Sequence, residues 1–259
     1  MLNLLTAERI KLFRSQKLRI VLGILLLLPI MQVVNSKIEV DNGKELVQVI
    51  DTVISGATGI LMMEKNGFTI LLVMSAFICF FIGEEFQNGT IRNALSLGRS
   101  RTLYYLSKLV IAALVSLVGV IVMTVLGIVI FSLVFDFGEV AGISNYLWYA
   151  IKTFTTLYLL ILANVSIYVM ISFLTKNSGI SLIWSFLYTM ATAFLPEIFQ
   201  QTEHFKYVTY WFTETYLNYS DFANPADIAK YPEMILVSLI TIVLSSAIGI
   251  LMFKRTDIK

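Results

Sequence analysis

Histidine and cysteine carry much of the acid–base, nucleophilic and soft-metal chemistry of proteins, and each occurs once here, as His204 and Cys79. One thiol cannot form a disulfide framework, and this pair cannot furnish a His/Cys metal site. No paired carboxylates or nucleophile–base pair stand within the apolar stretches, which argues against an intramembrane enzyme. A G-x-x-x-x-G-K-[ST] phosphate cradle is also absent. The residues that can do chemistry gather between Gly83 and Lys108. Glu84 and Glu85 are adjacent carboxylates, followed by Arg92, Arg99, Arg101 and Lys108. A carboxylate paired with one of these arginines would form a charge-assisted, directional contact. Between them, Gly89 permits a turn and Thr90 suits a helix N-cap. Ile91, Ala94, Leu95 and Leu97 then give a short helix an apolar side, which Gly98 closes. The segment Asn88–Gly98 is therefore expected to lie along the membrane, against lipid or in the groove of another protein.

The elements that must position this loop are apolar. Of 259 residues, 58% are hydrophobic and 14% charged, against about 45–50% and 25% in a soluble domain. This excludes disorder and argues against a water-soluble enzyme. A helix needs about 20 apolar residues to cross a bilayer. Six stretches approach that length: 18–34, 68–83, 109–135, 146–174, 179–195 and 234–253. They are continuous rather than alternating, which excludes barrel strands. No Ala-x-Ala-like site follows Val34, so the first stretch is expected to be a retained span rather than a signal peptide.

Charge orients the spans. With both termini inside, the inner segments hold 13 of the 19 basic residues and four of the 17 acids, a net +9 against −7 outside. That asymmetry satisfies the positive-inside rule and places both termini in the cytoplasm of a cell-membrane protein. The leader, residues 1–17, reads as a helix with Leu2, Leu5, Leu12 and Phe13 on one side. It fits an interfacial helix or a basic flank that only fixes topology.

None of the six stretches has an acid in its core, which argues against a proton-coupled carrier or an ion pump. Thr241, Ser245 and Gly249, and Ala112 and Ser116, are spaced for close helix packing. Pro29 is placed to kink the first span. Asn164 is expected to hydrogen-bond a neighbouring helix. Two outer segments are long. In 35–67, Leu46, Val49, Ile50, Val53 and Ala57 have helical spacing. In 196–232 there are ten aromatics, including Tyr207, Tyr210, Trp211 and Tyr216. That segment is expected to be re-entrant or interfacial. Its aromatics serve packing or line an exit path.

The loop resembles that of ABC-2 type transporter permeases, through Glu85, Gly89, Thr90, Leu95, Ser100, Arg101 and Lys108. The six-span plan, the basic N-terminal helix and the long segment before the last span resemble that family too. The 35–67 segment is longer than its minimal plan. The resemblance implies an all-α membrane fold, one permease domain over 1–259, and a coupling helix at Asn88–Gly98 that engages a separate ATPase. Glu84 and Glu85 would sit at the inner membrane edge and help transmit its motion. It implies two permease chains and two ATPases, with ATP and Mg on the partner and no cofactor on this chain. Small permeases of this kind suggest export of amphiphilic or antimicrobial peptides. The outer −7 suits a cationic one. Alternatives are export of a lipid or hydrophobic drug, or a sensor or scaffold that moves nothing. Nothing points to nucleic acid.

Overall fold

The structure is a computed structural model that describes residues 2–41, 55–61, 66–140, 143–200, 206–218 and 230–256. All regular structure among the described residues is helical. In chain order the helices are α1 (Leu2–Arg14), α2 (Gln16–Asp41), α3 (Gly67–Gln87), α4 (Thr90–Ser96), α5 (Arg101–Phe135), α6 (Tyr146–Thr175), α7 (Ser178–Gln200), α8 (Thr213–Asn218) and α9 (Tyr231–Arg255). Two 3-10 turns, Ala57–Leu61 and Lys206–Trp211, complete the set. Helices α2, α3, α5, α6, α7 and α9 each contain a stretch long and apolar enough to cross a membrane.

Two ends differ from the apolar stretches for identifiable reasons. Helix α5 begins at Arg101, eight residues before Leu109, because Ser100 caps it by accepting the Leu103 N–H at 3.2 Å. The polar residues Tyr104, Ser107 and Lys108 break the hydropathy signal, yet they are buried on that helix. Helix α3 continues through Gly83 to Gln87. Gly83 marks a crossing there, since a Cβ would stand 2.5 Å from the Ser178 backbone of α7.

Helix α6 is the hub and packs on α3, α5, α7 and α9. The small-residue spacing serves packing within this one chain. Ser245 meets Ser166 of α6 at 2.7 Å between hydroxyl oxygens. Gly249 leaves room for the Tyr105 ring, which lies 4.7 Å from that of Phe173. Phe86, Tyr104, Phe173 and Phe253 continue this aromatic cluster and tie α3, α5, α6 and α9 at one end. Aromatic pairs in such edge-on geometry are worth about 0.5–1.5 kcal/mol beyond their area.

Described parts of both long connecting segments, 35–67 and 196–232, pack on the bundle. Residues Ala57–Leu61 are all buried, and Gly59 lies against the Gly127 backbone of α5. Gly56 and Ala57 donate to the Asp136 and Phe137 carbonyls, each at 2.8 Å. Leu46, Val49, Ile50 and Val53 lie outside the described residues. In the second segment α8 packs against α3, α6, α7 and α9, inside the helical bundle. Asn164 donates to Thr213 of α8 at 2.9 Å, as its position in α6 led us to expect.

Two alanine substitutions separate packing from helix propensity. Gly249→Ala sets a methyl against the immobile Tyr105 ring and is expected to lower stability by about 1–3 kcal/mol. Gly23→Ala meets no atom within 4 Å and is expected to hold or raise stability, by up to about 1 kcal/mol. Thermal unfolding in detergent checks both.

Candidate functional site

Four charged side chains and a tyrosine meet where α1, α3 and α5 converge. Helical periodicity assembles them. Glu8 and Lys11 are three apart on α1, Phe81 and Glu85 four apart on α3, and Tyr104 and Lys108 four apart on α5, so each pair shares a face. Lys108 is fully buried, with its ammonium 2.6 Å from Glu8 Oε2 and 2.6 Å from Glu85 Oε2. Lys11 pairs with Glu85 Oε1, and the Tyr104 hydroxyl donates to Glu85 Oε2. The Lys108 ammonium also lies 4.5 Å from the Phe81 ring centre. Burial pushes the Glu8 carboxyl upward against the opposing pull of Lys108. Two carboxylates and two lysines make the cluster neutral as a whole. That balance matters, because each ion removed from water costs several kcal/mol unless paired.

The loop joins this cluster directly. The Glu85 carbonyl accepts the Thr90 hydroxyl at 3.1 Å. Asn88 and Gly89 donate to the Glu84 and Phe86 carbonyls and end α3. Gly89, at φ +67°, precedes α4 in the left-handed region that glycine adopts without strain. Thr90 is thus the first helical residue rather than the cap. Gly98, at φ +79°, closes the turn after α4.

Three expectations change. Ile91 is buried within the chain itself, Leu95 is half-buried, and Leu97, the C-cap just past α4, is 81% exposed, so Leu97 is the apolar residue that this end of the loop offers outward. Glu84 and Glu85 are held by lysines, Glu84 by Lys17 and Glu85 by Lys11 and Lys108. Arg101 caps α9 instead, donating to the carbonyls of Phe253 (3.0 Å), Lys254 (2.8 Å) and Thr256 (2.6 Å). The lysines prevail because α1 crosses beside α5 and α2 packs on α3, contacts that sequence spacing does not reveal.

The aromatics of the second outer segment divide. Tyr216 is buried and its hydroxyl donates to the Tyr210 carbonyl at 3.0 Å, while Trp211 is exposed and Tyr210 borders on it. The Tyr207 side chain lies outside the described residues. Between them stands a residue that hydropathy passes over. Glu214 is buried on α8, which is not a spanning helix. Thr213 donates to its Oε2 at 3.2 Å, and no salt bridge reaches it among the described residues. The available signal was local: Glu214 is the one acid set directly between the aromatics and threonines of Trp211–Tyr216.

Removing one partner of the cluster leaves uncompensated charge. Lys108→Met is expected to cost about 3–5 kcal/mol, since two carboxylates then face Lys11 alone. Adding Glu8→Gln is expected to recover part of that loss. Denaturant unfolding in detergent, compared across the two single variants and the double variant, measures the coupling.

No curated protein matches this chain. Residues 16–259 match a family described as a protein of unknown function (DUF2705), a range that includes Glu84, Glu85, Lys108 and Glu214 and starts just after α1. The match covers nearly the whole length, and the chain belongs to the DUF2705 family.

Proposed function

We propose that this chain is the membrane-spanning subunit of an ATP-driven ABC exporter. The observation that carries the proposal is the pairing of an outward helix with a rigid anchor. The C-terminal end of α4 offers its cap residue Leu97 to a partner, while the Thr90–Glu85 hydrogen bond fastens the start of the helix to the buried Glu85–Lys108 pair. A push on α4 therefore reaches α3, α5 and α1 through charged contacts that resist deformation. A connector that merely rested on lipid would not require such an anchor.

In this reading both termini and α4 lie in the cytoplasm, on the basic side of a bacterial cell membrane. The ATPase is a separate subunit that holds ATP and Mg, and two copies work with two permease chains. The substrate is an amphiphilic peptide, and the acidic outer side favours a cationic one. An apolar groove of about 770 Å³ between α6, α7 and α9, lined by Met170, Trp184 and Leu187 among others, suits an apolar face.

Leu97→Asp is expected to separate the chain from its ATPase in a detergent pull-down while insertion is unchanged. Burying such a side chain is worth about 1.5–3 kcal/mol, or roughly 10–100-fold in affinity. Retained capture by Leu97→Asp would overturn the α4 contact. For coupling, Glu85→Gln is expected to lower substrate-stimulated ATPase activity in the reconstituted complex more than basal activity. Sensitivity of a deletion strain to amphipathic peptides, reversed by complementation, tests the substrate class.

A further inference from the structure

The six spanning helices contain no acid in mid-span, but the segment between α7 and α9 delivers one. Asn164 touches α8 from a point eleven residues before the end of α6 at Thr175, about 16 Å along the axis at ~1.5 Å per residue. Tyr188, which interacts with Glu214, lies ten residues after the start of α7 at Ser178, about 15 Å by the same rise. Both starting points lie at the end that carries the charged cluster. With that end set at the edge of a hydrocarbon core about 30 Å thick, Glu214 lies about half-way through it.

Its surroundings fit a neutral acid. Glu214 Oε1 and Asn164 Oδ1 are both buried acceptors without a hydrogen-bond partner, and both residues touch the Thr213 hydroxyl. The Asn164 amide N–H groups already donate to the Leu160 carbonyl at 3.1 Å and to Thr213. The site therefore offers the carboxylate neutral donors but, among the described residues, no cation, and still leaves two buried acceptors without a donor. A proton on Glu214 supplies that donor and removes the unpaired charge at the same time. A metal ion would need several anionic or soft ligands, and among the described residues no three His, Cys, Asp or Glu side chains gather.

We infer that Glu214, with Asn164 beside it, is a proton-binding site inside the membrane bundle. The proton comes from the aqueous phase and bonds to a carboxylate oxygen; no other bond is made or broken. Burial pushes this carboxyl up to about 7, against the smaller pull of its own backbone N–H and of the Thr192, Thr213 and Tyr188 hydroxyls. The titratable groups that act on the site are Tyr188 from α7 and Tyr168 from α6. Cys79 of α3 acts on Tyr168, and α9 brings no charged group to bear on Glu214. A proton held here makes the seating of α8, and with it the Asn164 contact, dependent on pH. The inference does not depend on the exporter reading, because it concerns the chain alone.

The test uses the full chain in lipid nanodiscs without any ATPase. Glu214 is pushed above its ordinary carboxylate value, so the folded state holds the proton more tightly than the unfolded one. Its contribution is fully present below about pH 4.5 and is lost as pH rises through about 7. The melting temperature of the wild type is expected to fall between pH 5 and 8, while that of Glu214→Gln falls less. Equal pH dependence in the two would overturn the site. If Glu214→Gln fails to insert, infrared difference spectra of the wild type between pH 5 and 8 decide instead. A protonated-carboxyl band lost toward pH 8, and shifted to higher pH in Tyr188→Phe, supports the site. No such band at pH 5, or a band that Tyr188→Phe leaves unmoved, refutes it.

Discussion

The Lys108 ammonium between the Glu8 and Glu85 carboxylates is the contact on which the arrangement at the charged end depends. A lysine with no exposure is tolerable only if its charge is matched at once, and matching it fixes three helices relative to one another. Helix α1 would otherwise be an amphipathic segment free to slide along the membrane surface. With Glu85 held from three sides, its backbone carbonyl is also fixed, and that carbonyl receives Thr90. The geometry of α4 thus follows from an ion pair one helix away.

The spans were legible because lipid leaves few solutions. A continuous apolar run of sufficient length must satisfy its own backbone hydrogen bonds, and a helix does this. The Gly89 turn and the short helix after it were legible for the same local reason, as was the Asn164 contact. Tertiary proximity was not. Nothing in the spacing says that Lys11 lies closer to Glu85 than Arg101 does, since α1 and α3 are separated by more than fifty residues of sequence. The direction of Ile91 was hidden likewise: an apolar residue on a short helix can face its own bundle or a partner, and periodicity is the same in both cases.

Hydropathy also passes over connections that pack inside the bundle, and two such pieces stand among the described residues. The Ala57–Leu61 turn and α8 are too short to read as spans, yet both are buried against the long apolar helices. Irregular backbone is tolerated among such helices where protein, not lipid, surrounds it. Gly59 and Gly127 make the first insertion possible by allowing backbones to approach closely. Hydroxyl residues make the second possible, with Thr209 accepting Thr215 through its carbonyl at 2.8 Å and Thr213 facing Asn164.

This fold treats two buried carboxylates, Glu85 and Glu214, in opposite ways, and the contrast separates structure from chemistry. Glu85 receives two ammonium groups and a tyrosine hydroxyl, so its charge is balanced and its place is rigid. Glu214 receives only neutral donors, hydroxyls and its own backbone N–H, and one of its oxygens has no partner. A lysine on α6 or α7 would have matched it as Lys108 matches Glu85, but those faces present Asn164, Tyr168, Tyr188 and Thr192. Neutral donors soften the loss of water without replacing a counter-charge. A fully paired acid serves as a fixed joint. An acid left short of a donor, on a short helix that enters the bundle from a connecting segment, keeps a protonation equilibrium that the fold can use.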